Sequence, residues 1–250
     1  MKRSFLITLL GIFVAAATFA QSETRSLSSF SRVSAHEGIN VFLSEGKEEA
    51  RVVINGGNVD LDDVLTEVSG GRLKIHLKDR RGWNNRNVDV DVFVKYKSLE
   101  SLSASSAASI EAKDVIEADG DFEVDVSSAG DVMAKIVGID ELEVEASSAG
   151  DADLEVEADE IEANVSSSGG IDIKGTARSQ DIEASSSGDY EGFDLVSQEA
   201  EASASSGGSI EVNVKEKIRA RASSGGSVRY DGNPSYVNAD SSSGGRVKKS

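Results

Sequence analysis

The chain has 250 residues, and its 44 acidic against 26 basic side chains give a formal net charge of −18 at pH 7. A chain this acidic is a poor partner for the phosphates of nucleic acids and is repelled by anionic lipid surfaces. It contains no cysteine, which excludes disulfides, lipid attachment through cysteine and metal sites built on thiolates.

The N-terminal segment has the three parts of a secretory signal peptide. A Met-Lys-Arg start is followed by an apolar run over residues 5–17 and by small residues before Gln21. The run is shorter than the about 20 residues that a membrane-spanning helix needs, although an uncleaved anchor is the alternative. We predict a signal peptide over residues 1–20 and an exported chain, periplasmic or at the cell surface, with no membrane insertion after cleavage. That mature chain has 24 basic and 44 acidic residues, a net charge of −20.

Residues 21–102 are predicted to form a β-rich segment. Strands are indicated where apolar and polar residues alternate, at 38–43, 50–55, 73–77 and 88–94. One helical turn is predicted over residues 59–65, with Asp60 as its cap. A polar loop over residues 79–87, which carries Trp83, joins the last two strands.

Residues 103–250 repeat a marker, Ser-Ser-x-Gly, that is followed by a polar and then an apolar residue. After a degenerate copy at Ser105, the copies begin at Ser127, Ser147, Ser166, Ser185, Ser205, Ser223 and Ser241. Their steps of 22, 20, 19, 19, 20, 18 and 18 residues are typical of one solenoid coil.

Between the markers, apolar residues recur with a period of two, which favours strands over helices. Strands one coil apart can pair only in parallel, so we predict an all-β, right-handed parallel solenoid that the β-rich segment caps and continues. A disordered Ser/Gly tract is excluded because the aliphatic residues recur in phase with the marker. The marker glycine is expected to supply a positive φ at a bend, and the serine hydroxyls to bond the backbone there.

The sequence resembles the GIN-domain family, described as autotransporter adhesin heads and typical of Bacteroidetes. The resemblance lies in Gly38-Ile39-Asn40, in Thr66-Glu67-Val68 and Leu73-Lys74-Ile75, and in the phased repeats, and it covers nearly the whole mature chain. It implies a solenoid-like β fold and an extracytoplasmic location. The adhesin label is one of analogy, and the resemblance implies no particular biochemical activity.

No residue pattern indicates catalysis or a cofactor. The two histidines, His36 and His76, have no metal-ligand spacing, and no serine lies in a Gly-x-Ser-x-Gly elbow between a strand and a helix. No phosphate-binding glycine loop is present. We therefore predict no catalytic, cofactor-binding or metal-binding residue, and a protein that is not an enzyme.

Acidic residues recur four positions before the first marker serine. They are Glu123, Glu143, Glu162, Asp181 and Glu201, and Arg219 takes the next position. In a parallel solenoid they would stack about 4.8 Å apart, where like charges repel. Divalent cations could relieve this repulsion, but the dense Asp/Gly repeat of calcium-binding β-rolls is missing, so a solvated acidic face is favoured.

These observations leave three hypotheses of function. The favoured one is an adhesin-like binding module for envelope or extracellular glycans or proteins. The others are a polysaccharide-active β-helix enzyme, which would need clustered acids in a groove, and a purely structural envelope protein. The sequence predicts no oligomeric state.

Overall fold

The computed structural model describes residues 21–78 and 87–250, in which the chain forms eighteen β-strands and one turn of 3-10 helix. The predicted signal peptide, Trp83 and most of the predicted polar loop lie outside the described residues. No helix in the described part is long and apolar enough to cross a membrane. All the strands belong to one hydrogen-bonded sheet system that winds into a parallel β-solenoid, which confirms the predicted all-β parallel solenoid.

Nine strands make up the N-terminal region. They are β1 (Gln21–Ser26), β2 (Arg32–Ala35), β3 (Asn40–Glu45), β4 (Glu49–Gly57), β5 (Val64–Ser69), β6 (Arg72–Leu77), β7 (Val88–Tyr96), β8 (Ser101–Ser105) and β9 (Ser109–Ala112). The remaining nine are β10 (Ile116–Ser127), β11 (Asp131–Ser147), β12 (Asp151–Val165), β13 (Gly170–Ala184), β14 (Asp189–Ala204), β15 (Ser209–Ala222), β16 (Ser227–Asp231), β17 (Tyr236–Ser241) and β18 (Arg246–Lys249).

The N-terminal region combines antiparallel and parallel pairing. Strand β4 runs antiparallel to both β1 and β7, and β5 runs antiparallel to β6. Strand β2 lies parallel between β6 and β8, and β3 lies parallel between β7 and β9. The predicted helical turn is shorter than expected, a 3-10 helix over Leu61–Asp63 that follows Asp60. Because β8 and β9 pair with β10 and β11, the hydrogen-bonded sheet continues across residue 102.

Each long strand supplies two sides of one coil. Residues 131–137 of β11 pair with β12, the register then shifts at Gly138, and residues 139–146 continue the pairing. Gly138 has φ +74°, a conformation that glycine adopts without steric cost. The buried residues of β11 are all aliphatic, and two of them are alanines: Val132, Ala134, Ile136, Ile139, Leu142, Val144 and Ala146. The core is therefore a thin stack of such layers. The sequence has only 5% aromatic residues, so small and medium-sized side chains have to fill this core.

The marker forms a tight turn, but its glycine does not have the predicted role. In the copy 147–150, Ser148 and Ala149 have φ +52° and +59°, and the Gly150 N–H donates to the Ser147 carbonyl at 2.9 Å. Positive φ at both central residues is the type I′ arrangement. Gly150 is required for another reason, since a Cβ there would lie 2.6 Å from the carbonyl carbon of Val126 in the preceding coil. The expectation of positive φ at the fourth marker residue was wrong because coil-to-coil contact, invisible in one repeat, decides that position.

The last turn begins one residue later than predicted. The Gly245 N–H donates to the Ser242 carbonyl at 2.8 Å, and Ser243 and Gly244 have φ +50° and +81°. Ser241 is instead the final residue of β17. Three consecutive serines made the register ambiguous in the sequence, and pairing with β15 resolves it.

Gly38 of the GIN tripeptide lies in the first turn of the same stack, and Asn40 begins β3. Glu37 and Gly38 have φ +66° and +72°, and the Gly38 N–H donates to the Ser106 carbonyl at 3.0 Å. The next two turns repeat this bond, from Ala107 to Ser128 and from Ala129 to Ser148, each at 3.1 Å. The tripeptide is thus a structural element that starts the column of turns.

One polar cluster lies inside the solenoid. The Tyr190 hydroxyl donates to Gln180 Oε1 at 2.9 Å, and Gln180 Nε2 donates to Ser197 Oγ at 2.8 Å. Ser197 Oγ in turn donates to the Asn213 carbonyl at 3.4 Å. All three side chains are buried, and burial raises the pKa of Tyr190 well above its usual range. The cluster is internally satisfied, which a buried polar group requires.

Candidate functional site

The five predicted carboxylates lie side by side on the outer face of the solenoid. Strand register places Glu123 beside Glu143, then Glu162, Asp181 and Glu201 in successive coils. We call these five residues the carboxylate ladder. Arg219 follows in the next coil as predicted, and the column continues at the other end through Ser101, Arg32 and Arg72. Arginines therefore flank the ladder on both sides, Arg219 directly and Arg32 beyond Ser101, and the column continues past Arg219 to Asn238.

The ladder carries unfavourable charge in its interior. Loss of solvent raises the pKa of Glu143, and the carboxylates of Glu145, Glu123, Glu162 and Glu141 raise it further. Loss of solvent likewise raises the pKa of Asp181, reinforced by neighbouring carboxylates and opposed by Arg221. Both shifts have the direction expected of like charges held one strand apart.

At the C-terminal end the ladder is neutralised by protein side chains. Arg221 and Arg219 place guanidinium nitrogens 2.9 Å and 3.8 Å from the Glu201 carboxylate, and Lys217 pairs with Glu199 at 2.5 Å. Within residues 21–78 and 87–250 no group of three or more His, Asp or Glu side chains is arranged to hold a metal ion. The pairing of Glu201 with Arg221 and Arg219 neutralises this end of the ladder without a cation.

Replacing Glu143 by Gln is expected to stabilise the protein slightly, raising Tm by about 1–2 °C at pH 7, because it removes repulsion without changing shape. The penalty is present above the raised folded-state pKa and absent below the unfolded-state value, so the gain should shrink as pH falls through that window. Glu199→Gln is the matched control, and it should lower Tm because Glu199 loses its pairing with Lys217. Thermal melts at pH 7 and pH 4 measure both effects, and a lower Tm for Glu143→Gln would refute the repulsion.

The two histidines make local contacts. His36 Nδ1 lies 2.7 Å from the Ser105 hydroxyl, and His76 Nε2 lies 3.3 Å from Glu67. Burial lowers the pKa of His36, and Lys74 adds to the effect. The Ser105 contact joins the first residues of two stacked turns, so the coil geometry explains it. Among the described residues no carboxylate hydrogen-bonds His36, as the third member of a catalytic triad would.

A long polar groove follows the column of turns over the last five coils, with a volume of about 550 Å³. We call it the turn-edge groove. Its lining consists of the first residues of successive turns, which we call the floor, of the outward residues two positions earlier, which we call the wall, and of the buried residues Val165, Ala184, Ala204 and Ala222 between them. The floor residues are Ser166, Ser185, Ser205, Ser223 and Ser242, and the wall residues are Asn164, Glu183, Ser203, Arg221 and Asp240.

The floor serines of this groove do not have the role predicted for them. Within the described residues, turn N–H groups bond backbone carbonyls, and the hydroxyls of the five floor serines make no hydrogen bond to protein. The expectation that these hydroxyls satisfy the backbone was therefore wrong, because the type I′ turn and the neighbouring coils already do so. The recurrence of serine at the first marker position was the signal of the groove, but the sequence alone did not reveal the open space above it.

Comparison with known proteins identifies the kind of chain this is similar to. A family model described as "Putative auto-transporter adhesin, head GIN domain" matches residues 29–155 and 135–234. A search of curated protein sequences finds no match.

Solved structures that share the fold include three from Parabacteroides. A putative adhesin from Parabacteroides distasonis has a TM-score of 0.84 at 21% identity, and one from Parabacteroides merdae has 0.80 at 19%. A putative lipid binding protein from Parabacteroides distasonis has a TM-score of 0.76 at 21% identity. Each comparison covers 93% of this chain and 97% of the other.

Proposed function

The chain belongs to the family described as "Putative auto-transporter adhesin, head GIN domain", and from that premise we propose that it is an exported, non-catalytic binding module of the cell envelope. Its partners are glycans or proteins of the envelope or the extracellular space. The family name supports a location at or beyond the cell surface, and the predicted signal peptide over residues 1–20 supports export.

The observation that carries this proposal is the regular spacing of outward polar side chains along the solenoid. Parallel pairing holds equivalent positions of neighbouring coils one strand apart, from β10 to β15. A solenoid with this spacing presents the same type of contact several times in a row. Weak individual contacts then add through effective concentration. Such a display suits adhesion to a repetitive partner.

The alternative, a polysaccharide-active enzyme, has less support. Glycoside hydrolysis needs a carboxylic acid and a carboxylate on opposite sides of a sugar, in a site that positions both. Two ladder carboxyls with a raised pKa, Glu143 and Asp181, point outward from a single sheet face instead. Burial is also the first cause of the raised pKa of Asp125, two residues from Glu123, and of Asp151, which follows the next turn. Loss of solvent, reinforced by repulsion from neighbouring carboxylates, accounts for the raised pKa of Glu143 and Asp181 without catalysis.

Incubating the purified secreted protein with a panel of soluble neutral and acidic polysaccharides, and with immobilised outer-envelope proteins, tests the proposal. We expect retention of at least one partner class and no release of reducing ends above a heat-denatured control. Release of reducing ends would establish the enzyme instead, and no retention by any partner would contradict the binding function. Antibody detection in fractionated cells tests export, which a cytoplasmic location would contradict.

A further inference from the structure

We propose that the turn-edge groove is the site where this module binds its partner, and that the ligand is an extended, neutral polysaccharide chain lying along the solenoid axis. The inference rests on the proposed binding function and deepens it by naming a site and a ligand class.

The shape of the turn-edge groove fits a linear chain. Its floor runs through one residue in each of five successive coils, and four steps at the usual strand spacing give a length of about 19 Å. The volume of about 550 Å³ lies within the common range for ligand sites, yet it is spread along the rod rather than gathered into a pit. An open, straight groove of this length suits several sugar units in a row.

The floor of the groove offers hydroxyls without protein partners. The side chains of Ser166, Ser185, Ser205 and Ser223 are half-buried, and none of these hydroxyls is bonded to protein in the described part of the chain. A hydroxyl both donates and accepts, and a partly desolvated one is best satisfied by a group that does the same. Sugar hydroxyls meet this requirement at every unit of a polysaccharide.

The wall of the groove indicates a neutral ligand. Glu183 and Asp240 are carboxylates, while the guanidinium of Arg221 is already paired with Glu201 outside the groove. Acidic groups therefore outnumber available basic ones, which disfavours a polyanion such as nucleic acid or an acidic polysaccharide. Asn164 and Ser203 add uncharged hydrogen-bonding groups between the charged ones.

An extended peptide fits the same groove less well. Peptides that bind as an added strand use the unpaired edge of a sheet. The strands β13 and β14 beneath the groove are paired on both sides along this stretch, so no backbone edge is free. The lining residues include no aromatic side chain, so each contact is weak and binding depends on several coils acting together.

The test fills the groove with larger side chains. The resulting variant is compared with one that carries the same kind of substitution on the other sheet of the solenoid. The groove variant is Ser185→Gln with Ser205→Gln, and the control is Ser209→Gln with Ser227→Gln, two half-buried serines that follow the turns. Retardation of the full secreted protein in native gels containing dextran, mannan or laminarin gives the apparent affinity, with alginate as the acidic probe. Thermal melts verify that each variant is folded.

We expect a neutral polysaccharide to retard the wild type and the control alike, and the groove variant to bind at least about tenfold more weakly. If the Gln variant fails to fold, Ser185→Ala with Ser205→Ala removes the hydroxyls without adding bulk and should also weaken binding. Equal binding by folded groove variants would overturn the site but leave the binding function intact. A wild type that binds only alginate or only envelope proteins would overturn the neutral-glycan assignment, and a wild type that binds nothing would contradict the proposed function itself.

Discussion

Adding one methyl group at Gly150 is expected to destabilise the protein by about 3 kcal/mol, whereas Ala149→Gly, one residue earlier, is expected to stabilise it by up to about 1 kcal/mol. In Gly150→Ala the new Cβ would lie within 2.7 Å of three backbone atoms around Val126 and Ser127. Those atoms belong to a paired strand of the preceding coil, so they cannot move without breaking its hydrogen bonds.

The opposite sign at Ala149 follows from its backbone conformation. An alanine at φ +59° is strained by contact between its Cβ and the backbone, and glycine relieves this strain. Part of the gain is offset because glycine loses more conformational freedom on folding. Two neighbouring positions of one turn thus respond in opposite directions to the exchange of a hydrogen for a methyl group.

Chemical denaturation of the two single variants and the wild type measures both effects. Because solenoids can unfold in parts, hydrogen exchange of the amides in β10, β11 and β12 should accompany it. We expect exchange in Gly150→Ala to rise first in the coils on either side of the turn. A Gly150→Ala protein as stable as the wild type would mean that the coils are not in close backbone contact at the turns.

Removing the Tyr190 hydroxyl is expected to cost about 1–3 kcal/mol, although a single atom is lost. In Tyr190→Phe the Gln180 Oε1 atom stays buried with no donor in place of the hydroxyl that now lies 2.9 Å away. The cost is that of an unsatisfied buried acceptor and not of a lost contact area, because the phenyl ring still fills the core.

A double-mutant cycle distinguishes this explanation from a packing effect. Adding Gln180→Leu to Tyr190→Phe replaces the amide that lacks a donor by an apolar group of similar length. The double variant should therefore recover part of the lost stability. The hydroxyl of Ser197 can still donate to the Asn213 carbonyl in that variant. Additive losses in urea denaturation would show that Tyr190 and Gln180 are not coupled.

Much of this fold could be predicted from sequence because, in a solenoid, residues one repeat apart in the chain lie side by side in neighbouring coils. Each coil contacts only its neighbours, so counting from marker to marker identified Glu123 and Glu143, and then Glu162, as strand partners. Alternation with a period of two identified which side chains point inward, as Val144 does between two outward glutamates.

The candidate site was only half predictable, because part of it depends on the space between coils. The ladder could be inferred from one column of residues, whereas the turn-edge groove needs the depth left above small side chains such as Ser185 and Ser205. The sequence suggested that the hydroxyls of those serines bond the backbone at the bends. In the structure the backbone N–H groups of the turns bond backbone carbonyls instead. No property of a single repeat distinguishes a bonded hydroxyl from an available one.

Repeat length, the inward and outward faces and the order of residues along each column could be predicted from the amino-acid sequence, since they depend on strand geometry and local periodicity. The tertiary structure explains why the fourth marker residue is glycine, because the atoms that exclude a Cβ from Gly150 belong to residues one coil away. It also decided that Gly38 starts the column of turns and that β4 runs antiparallel to β1 and β7. These features arise from packing between segments distant in the chain, which local patterns do not encode.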